Sequence, residues 1–225
     1  MLGSIIGDVV GSQFEGQNRK GGPYMKDYNF PLFTDKCRPT DDTVMTLAVA
    51  DALLHPCVSF KVSLIQWARR YPNVGYGSAF KQWFLSSDPQ PYDSYGNGSA
   101  MRVSPIGFAY HKGPQYGEDD VLRFAKESAL PSHGHEEGIK GAQATAMAIS
   151  LALRGFSKDQ IKGYVEEKFS YDLSTPLEVI RPNYGWDVTC QGSVPQAIRC
   201  FLESTDFLSC IKKSVDSRKQ RICLL

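Results

Sequence analysis

The 225-residue sequence has no surplus of charge of either sign. Its 25 Lys and Arg stand against 24 Asp and Glu, for a net +1. Without a basic field to steer polyanions, the balance argues against nucleic acid or an anionic membrane as the main partner. Paired cysteines are missing too. The six cysteines stand singly at 37, 57, 190, 200, 210 and 223, and none forms C-x-x-C. That argues against a zinc cage or a thioredoxin-type redox pair and points to free thiols in a reducing cytoplasm. No long hydrophobic run occurs. The opening MLGSIIGDVVGSQFEG is short, is interrupted by Asp8 and lacks a basic leader, so it reads neither as a secretion signal nor as a membrane span. Repeats, long linkers and low-complexity tracts are absent. Alternating strand patterns are scarce, with SYDLS and EVIRP short and ambiguous.

What remains is helical periodicity over a chain that is 42% hydrophobic, enough to build one core. After Asp42, the apolar residues Met45, Ala48, Val49, Ala52 and Leu53 fall at i, i+3, i+4, i+7 and i+8. Val44, Leu47 and Leu54 make this helix apolar nearly all round, as befits the middle of a bundle. It should end near His55-Pro56. Further helices are expected over 59–70, 76–85 and 118–129, and over 98–110 with a break or bend at Pro105. The longest is expected over 136–154, rich in Ala and Gly for close helix approach. Others are expected over 157–168 with Ser157 as N-cap, over 193–203 with Ser193 as cap and Pro195 in the first turn, and over 206–213 with Asp206 as cap. The expected class is all-α, with polar motifs in the loops.

Five polar constellations stand out, and each has an ordinary structural reading. In CRPTDDTVM, Thr40 can cap a helix whose first turn holds Asp41 and Asp42. The same three residues are hard oxygen ligands suited to magnesium or manganese. In YDSYGNGSAMRVSPIG, Gly96, Asn97 and Gly98 tolerate tight backbone turns. The loop runs into a helix, so its N–H groups could cradle a phosphate, with Asp93 upstream as a possible acid or base. In SHGHEEG, His133 can line a ligand pocket or simply enter a turn. In TCQGSVPQAI, Thr189, Gln191 and Ser193 offer hydrogen bonds around Gly192, or cap a helix. In GDVVGSQFEG, Glu15 is the only carboxylate between Gly11 and the Gly21-Gly22 pair.

Taken in order, GSIIGDVVGSQFEG, PTDDTVMTLAVADALL, GYGSAFKQWF, SYGNGSAMRVSPIGF, SHGHEEGIKGAQATAMAI and TCQGSVPQAIRCFLES resemble the ADP-ribosylglycohydrolase family over about residues 2–213. The resemblance implies an orthogonal helical bundle. It also implies metal-assisted hydrolysis of an ADP-ribosyl bond on a protein or small molecule, with a pair of magnesium or manganese ions. By motif match it assigns Thr40, Asp41 and Asp42 as metal ligands, and Glu15 and Asp93 as catalytic carboxylates. Gly96, Asn97, Gly98, Ser99, Met101 and His133 become the surroundings of the ADP-ribose. Gln191, Gly192 and Ser193 border the same cleft.

After SCIKKSV the family continues with a second metal motif, Gly-Gly-Asp-Ser-Asp-Thr, where this sequence reads DSRKQRICLL. The expectation is therefore a single domain over 1–225, truncated or divergent after about residue 213, with one ion or none held by the remaining ligands. An apolar face left uncovered would favour a homo-oligomer. Two functions follow: a hydrolase whose activity is impaired by the missing motif, or a catalytically inactive protein that binds ADP-ribose.

Overall fold

The computed structural model describes residues 1–14, 30–112, 116–185 and 187–215. Among these residues it contains eleven helices and no strand, only two isolated bridges. The helices are α1 (Leu2–Ser12), α2 (Asp41–Leu54), α3 (Phe60–Arg70), α4 (Ser78–Leu85), α5 (Ser104–Ala109) and α6 (Glu118–Ala129). They continue with α7 (Glu136–Leu153), α8 (Lys158–Phe169), α9 (Leu177–Ile180), α10 (Cys190–Glu203) and α11 (Phe207–Val215).

Local chemistry fixes several boundaries where the sequence puts them. Ser59 caps α3 through Val62 N–H, and Ser157 forms a capping box with Gln160 on α8. Asp206 accepts from Ser209 N–H at 2.7 Å, just ahead of α11. Two expectations are corrected. Pro105 does not bend a helix over 98–110. Residues 98–102 form turns, and the proline sits in the first turn of α5, where its missing N–H costs nothing. α10 begins three residues earlier than expected. Its cap is Thr189, which accepts from Gly192 N–H at 3.1 Å, so Pro195 lies in the second turn rather than the first.

The helix α7 forms the centre, packed by α5, α6, α8 and α10, while α2 packs on α1, α3 and α5. Small residues make these approaches possible. A Cβ on Gly107 would lie 2.6 Å from the Ala146 carbonyl oxygen, and one on Gly141 2.4 Å from Cys190 Sγ. Both are distances that real Cβ atoms do not tolerate, so α5 and α10 meet α7 only through glycine. The main core runs through Met45, Val49, Leu64, Phe84, Ile106, Met147 and Ile198. A second cluster joins Val10 of α1 to Ile211 and Val215 of α11. No helix among the described residues is long and apolar enough to cross a membrane.

Candidate functional site

Thr40 has the extended backbone of an N-cap, yet its side chain does not cap α2. Asp8, in the middle of α1 and fully buried, does so from across the chain. Its carboxylate accepts from the backbone N–H groups of Thr40 at 2.8 Å and Thr43 at 3.2 Å. It also accepts from their hydroxyls at 2.5 and 2.6 Å. A charge at this depth is tolerated because these donors and the positive end of α2 compensate it. The charge that interrupts the apolar start of the sequence is therefore a strut. A buried Asp in an apolar run needs partners somewhere, and that was the only signal for it.

The strut leaves Asp41 and Asp42 half-buried in the first turn of α2. Asp41 N–H donates to the Val74 carbonyl at 3.1 Å, and a Cβ on Gly75 (φ +111°) would touch its Oδ1 at 3.4 Å. Burial, and after it the Asp41 charge, pushes the Tyr76 phenol well above its usual range. Since the Thr40 hydroxyl gives its proton to Asp8, only lone pairs remain for any further partner. Hydroxyl lone pairs and two carboxylates are a donor set that fits a hard dication, with water completing its shell. Among the described residues no three His, Cys, Asp or Glu side chains gather into a metal cluster. The trio therefore fits half of a site rather than a closed cage.

The glycine-rich loop is assembled from three distant segments. Gly96 bridges Thr189, and Asp93 bridges His133, both antiparallel. Asn97 N–H donates to the Val188 carbonyl at 2.7 Å, and its side-chain amide donates to Ser193 Oγ at 3.0 Å. Ser193 in turn donates to the Thr189 carbonyl. The Asn97 carbonyl accepts from Ala100 and Met101 N–H, so residues 97–101 make one tight turn. Among the described residues, the N–H groups of Gly98 and Ser99 at the head of this turn find no protein acceptor. Ser99 is fully buried, so of the two it is the N–H of half-buried Gly98 that suits an anionic oxygen. The Ser99 hydroxyl donates to the Gly138 carbonyl at 2.7 Å, which ties the loop to α7. Met101 is half-buried, and its carbonyl accepts from Thr46 Oγ1 of α2 at 3.3 Å, which ties the loop to the helix that carries Asp41 and Asp42.

His133 presses its ring against this loop. A Cβ on Gly98 would lie 2.9 Å from His133 Nε2, and one on Gly96 3.7 Å. The residue is only 5% exposed, and burial followed by the nearby Arg102 charge holds its pKa well below the usual value, so the ring is neutral. The exposed Asp93 carboxylate lies over Gly134, where a Cβ would come within 2.5 Å of Oδ1. Gly192 sits closer still to Asp187, whose Oδ1 accepts from Thr189 N–H and hydroxyl ahead of α10. Buried Cys190 has its thiol raised to about 12 by burial and donates to the Gly96 carbonyl at 3.2 Å. Its role here is packing and hydrogen bonding. Gln191 points elsewhere: it is exposed and lines a cavity of about 370 Å³ with Glu137, Lys140 and Tyr171, apart from the glycine loop. Of the residues singled out in the sequence, Glu15 lies outside the described residues.

Several known proteins are similar to this chain. The chain is 30% identical to the ADP-ribosylhydrolase ARH3 of Mus musculus over 200 residues, covering 74% of this chain and 53% of that protein. It is also 30% identical to an uncharacterized protein, YegU, of Escherichia coli over 215 residues, covering 80% and 64%. The chain thus spans about half the length of the ADP-ribosylhydrolases it matches. A solved structure described as an ADP-ribosylglycohydrolase-related protein complex superposes with a TM-score of 0.70 at 24% identity. It covers 99% of this chain and 81% of that one, which establishes the all-α fold. The profile of the ADP-ribosylglycohydrolase family matches residues 1–218, and the chain belongs to that family.

Proposed function

We propose that this chain hydrolyses an ADP-ribosyl bond with the help of a divalent ion, magnesium or manganese. The observation that carries the reading is the cradle. The unengaged N–H of Gly98 and the neutral ring of His133 meet at one loop, and α2 joins that loop through Thr46. Backbone donors of this kind hold a diphosphate without adding charge, as ADP-ribose requires. Thr40, Asp41 and Asp42 would hold the ion, which when bound supplies Lewis acidity and orients ribose hydroxyls. Asp93, exposed beside His133, can move a proton at the departing group. Positive charge that builds at the anomeric carbon is stabilised by carboxylates nearby. Glu15 keeps the catalytic role that the family motif gives it. Free thiols at all five described cysteines suit the reducing cytoplasm we propose as the setting.

Release of ADP-ribose from an ADP-ribosylated protein, with magnesium or manganese added, tests the reading. Turnover should disappear in a variant that combines Asp41→Ala and Asp42→Ala. Full activity in that variant would sink the metal role. Failure of the parent chain to bind ADP-ribose by calorimetry would sink the substrate assignment.

A further inference from the structure

Arg102 is the largest fully buried side chain among the described residues, and it stands one residue after the glycine-rich turn. Among the described residues no carboxylate pairs with it. One nitrogen, Nη2, donates to the Ser128 carbonyl at 2.6 Å and to Ser132 Oγ at 3.0 Å, while Nε has no partner. Burial lowers its pKa to about 10, which still leaves it a cation at neutral pH. Ser132 is itself fully buried, and its Oγ lies 2.8 Å from His133 Nδ1. The three groups form a chain that ends at the imidazole facing the glycine loop.

Hydrogen-bond bookkeeping gives this chain a direction. A guanidinium has only donors, so at the Arg102–Ser132 contact the serine oxygen must accept. Ser132 then has one proton to place, and among the described residues the only other group bonded to its hydroxyl is His133 Nδ1. Were Nδ1 protonated, the serine proton would be buried with no acceptor, an arrangement proteins avoid. Nδ1 must therefore accept, and the single proton of the neutral ring resides on Nε2. That nitrogen has no protein partner among the described residues and lies against Gly98 and Gly96.

We infer that Arg102 is a positioning residue, which through the Ser132 hydroxyl fixes His133 in the Nε2–H tautomer. His133 thereby serves the glycine loop as a hydrogen-bond donor to a ligand oxygen rather than as a base. Together with the Gly98 N–H, it makes the cradle a set of neutral donors. This choice of ligand rests on the proposed ADP-ribose reading; the tautomer does not.

The ring nitrogens report the tautomer directly in ligand-free protein. Long-range proton–nitrogen NMR on the ¹⁵N-histidine-labelled full chain distinguishes the pyrrole-type from the pyridine-type nitrogen, and His133→Gln assigns the signals. The parent chain should show a pyrrole-type Nε2 and a pyridine-type Nδ1. Ser132→Ala removes the donor to Nδ1 without removing the buried cation, so the second tautomer should become populated. Ser132→Thr, which keeps the hydroxyl, should retain the parent pattern. Arg102→Met should also admit the second tautomer, because the freed serine oxygen can then accept from Nδ1; Arg102→Lys should not. ADP-ribose affinity by calorimetry should fall about tenfold in Ser132→Ala, as expected for one lost hydrogen bond. A pyrrole-type Nδ1 in the parent overturns the inference, as does an unchanged pattern in Ser132→Ala. If Arg102→Met fails to fold, Ser132→Ala alone decides. A correct tautomer without ADP-ribose binding supports the positioning role and overturns the substrate reading, so the two failures are distinguishable.

Discussion

The start of α2 and the glycine-rich loop solve opposite electrostatic problems. At α2, a buried carboxylate, Asp8, is surrounded by donors, and two more carboxylates stand half-buried beside it. At the loop, a buried cation, Arg102, is surrounded by a backbone carbonyl and a hydroxyl, and the ring next to it is held neutral. The first region concentrates negative charge where a cation would bind. The second uses buried positive charge to order donors that carry no charge themselves. Each charge acts on the chemistry through hydroxyls, Thr40 and Thr43 in one case and Ser132 in the other.

Removing Asp8 should break the first region most severely. Asp8→Ala leaves two N–H groups and two hydroxyls without their acceptor, and we expect a loss of about 4 kcal/mol in urea unfolding. A loss below about 1 kcal/mol would mean that water replaces the carboxylate and that the strut is not needed. The second region should yield next to Gly138→Ala. Its Cβ would come within 2.5 Å of the Ser94 carbonyl oxygen, so the loop must shift at a cost of about 2 kcal/mol, with weaker ADP-ribose binding by calorimetry.

A pH series probes the second region through His133. The native pKa of His133 lies below its unfolded value of about 6.5, so its contribution to stability is complete above that pH. As pH falls below it, the unfolded chain takes up a proton that the native ring refuses. Stability should then drop by up to about 1.4 kcal/mol per pH unit until the native pKa is reached. His133→Gln should flatten this part of the profile; a profile unchanged by that substitution would contradict a neutral buried ring. The smallest effect belongs to the link between the regions. Thr46→Val removes one bond to the Met101 carbonyl and should cost about 1 kcal/mol. If it also alters ADP-ribose affinity, the two regions are coupled more tightly than one hydrogen bond suggests.

What was legible in the sequence was local. The periodic run after Asp42, the Ser157 cap and the Ala-Gly helix each carry their cause within a few residues, and α2, α7 and α8 stand where that cause puts them. The start of α10 was missed because Thr189 caps it with support from Asp187, while Ser193 is occupied with the Thr189 carbonyl. Asp8 and Arg102 were missed as site components for a stronger reason. Their partners lie 26 to 35 residues away, and nothing in the flanking residues announces them. The glycine loop, read as a cradle, gained its walls at 133 and 188–193 only from the tertiary fold.

Asp8 belongs to α1, while Thr40 and Thr43, which it holds, belong to the start of α2, 32 residues or more downstream. The Thr-Asp-Asp-Thr signature is thus a composite feature that the letters alone do not encode. A variant lacking α1 would still spell the signature and would pass any motif search. Its Thr40 and Thr43 amides would nevertheless exchange hydrogen with solvent, and the two carboxylates would hang from a fraying helix end. In this chain, loss of one aspartate 32 residues upstream would loosen the start of α2 while every letter of the signature remained in place.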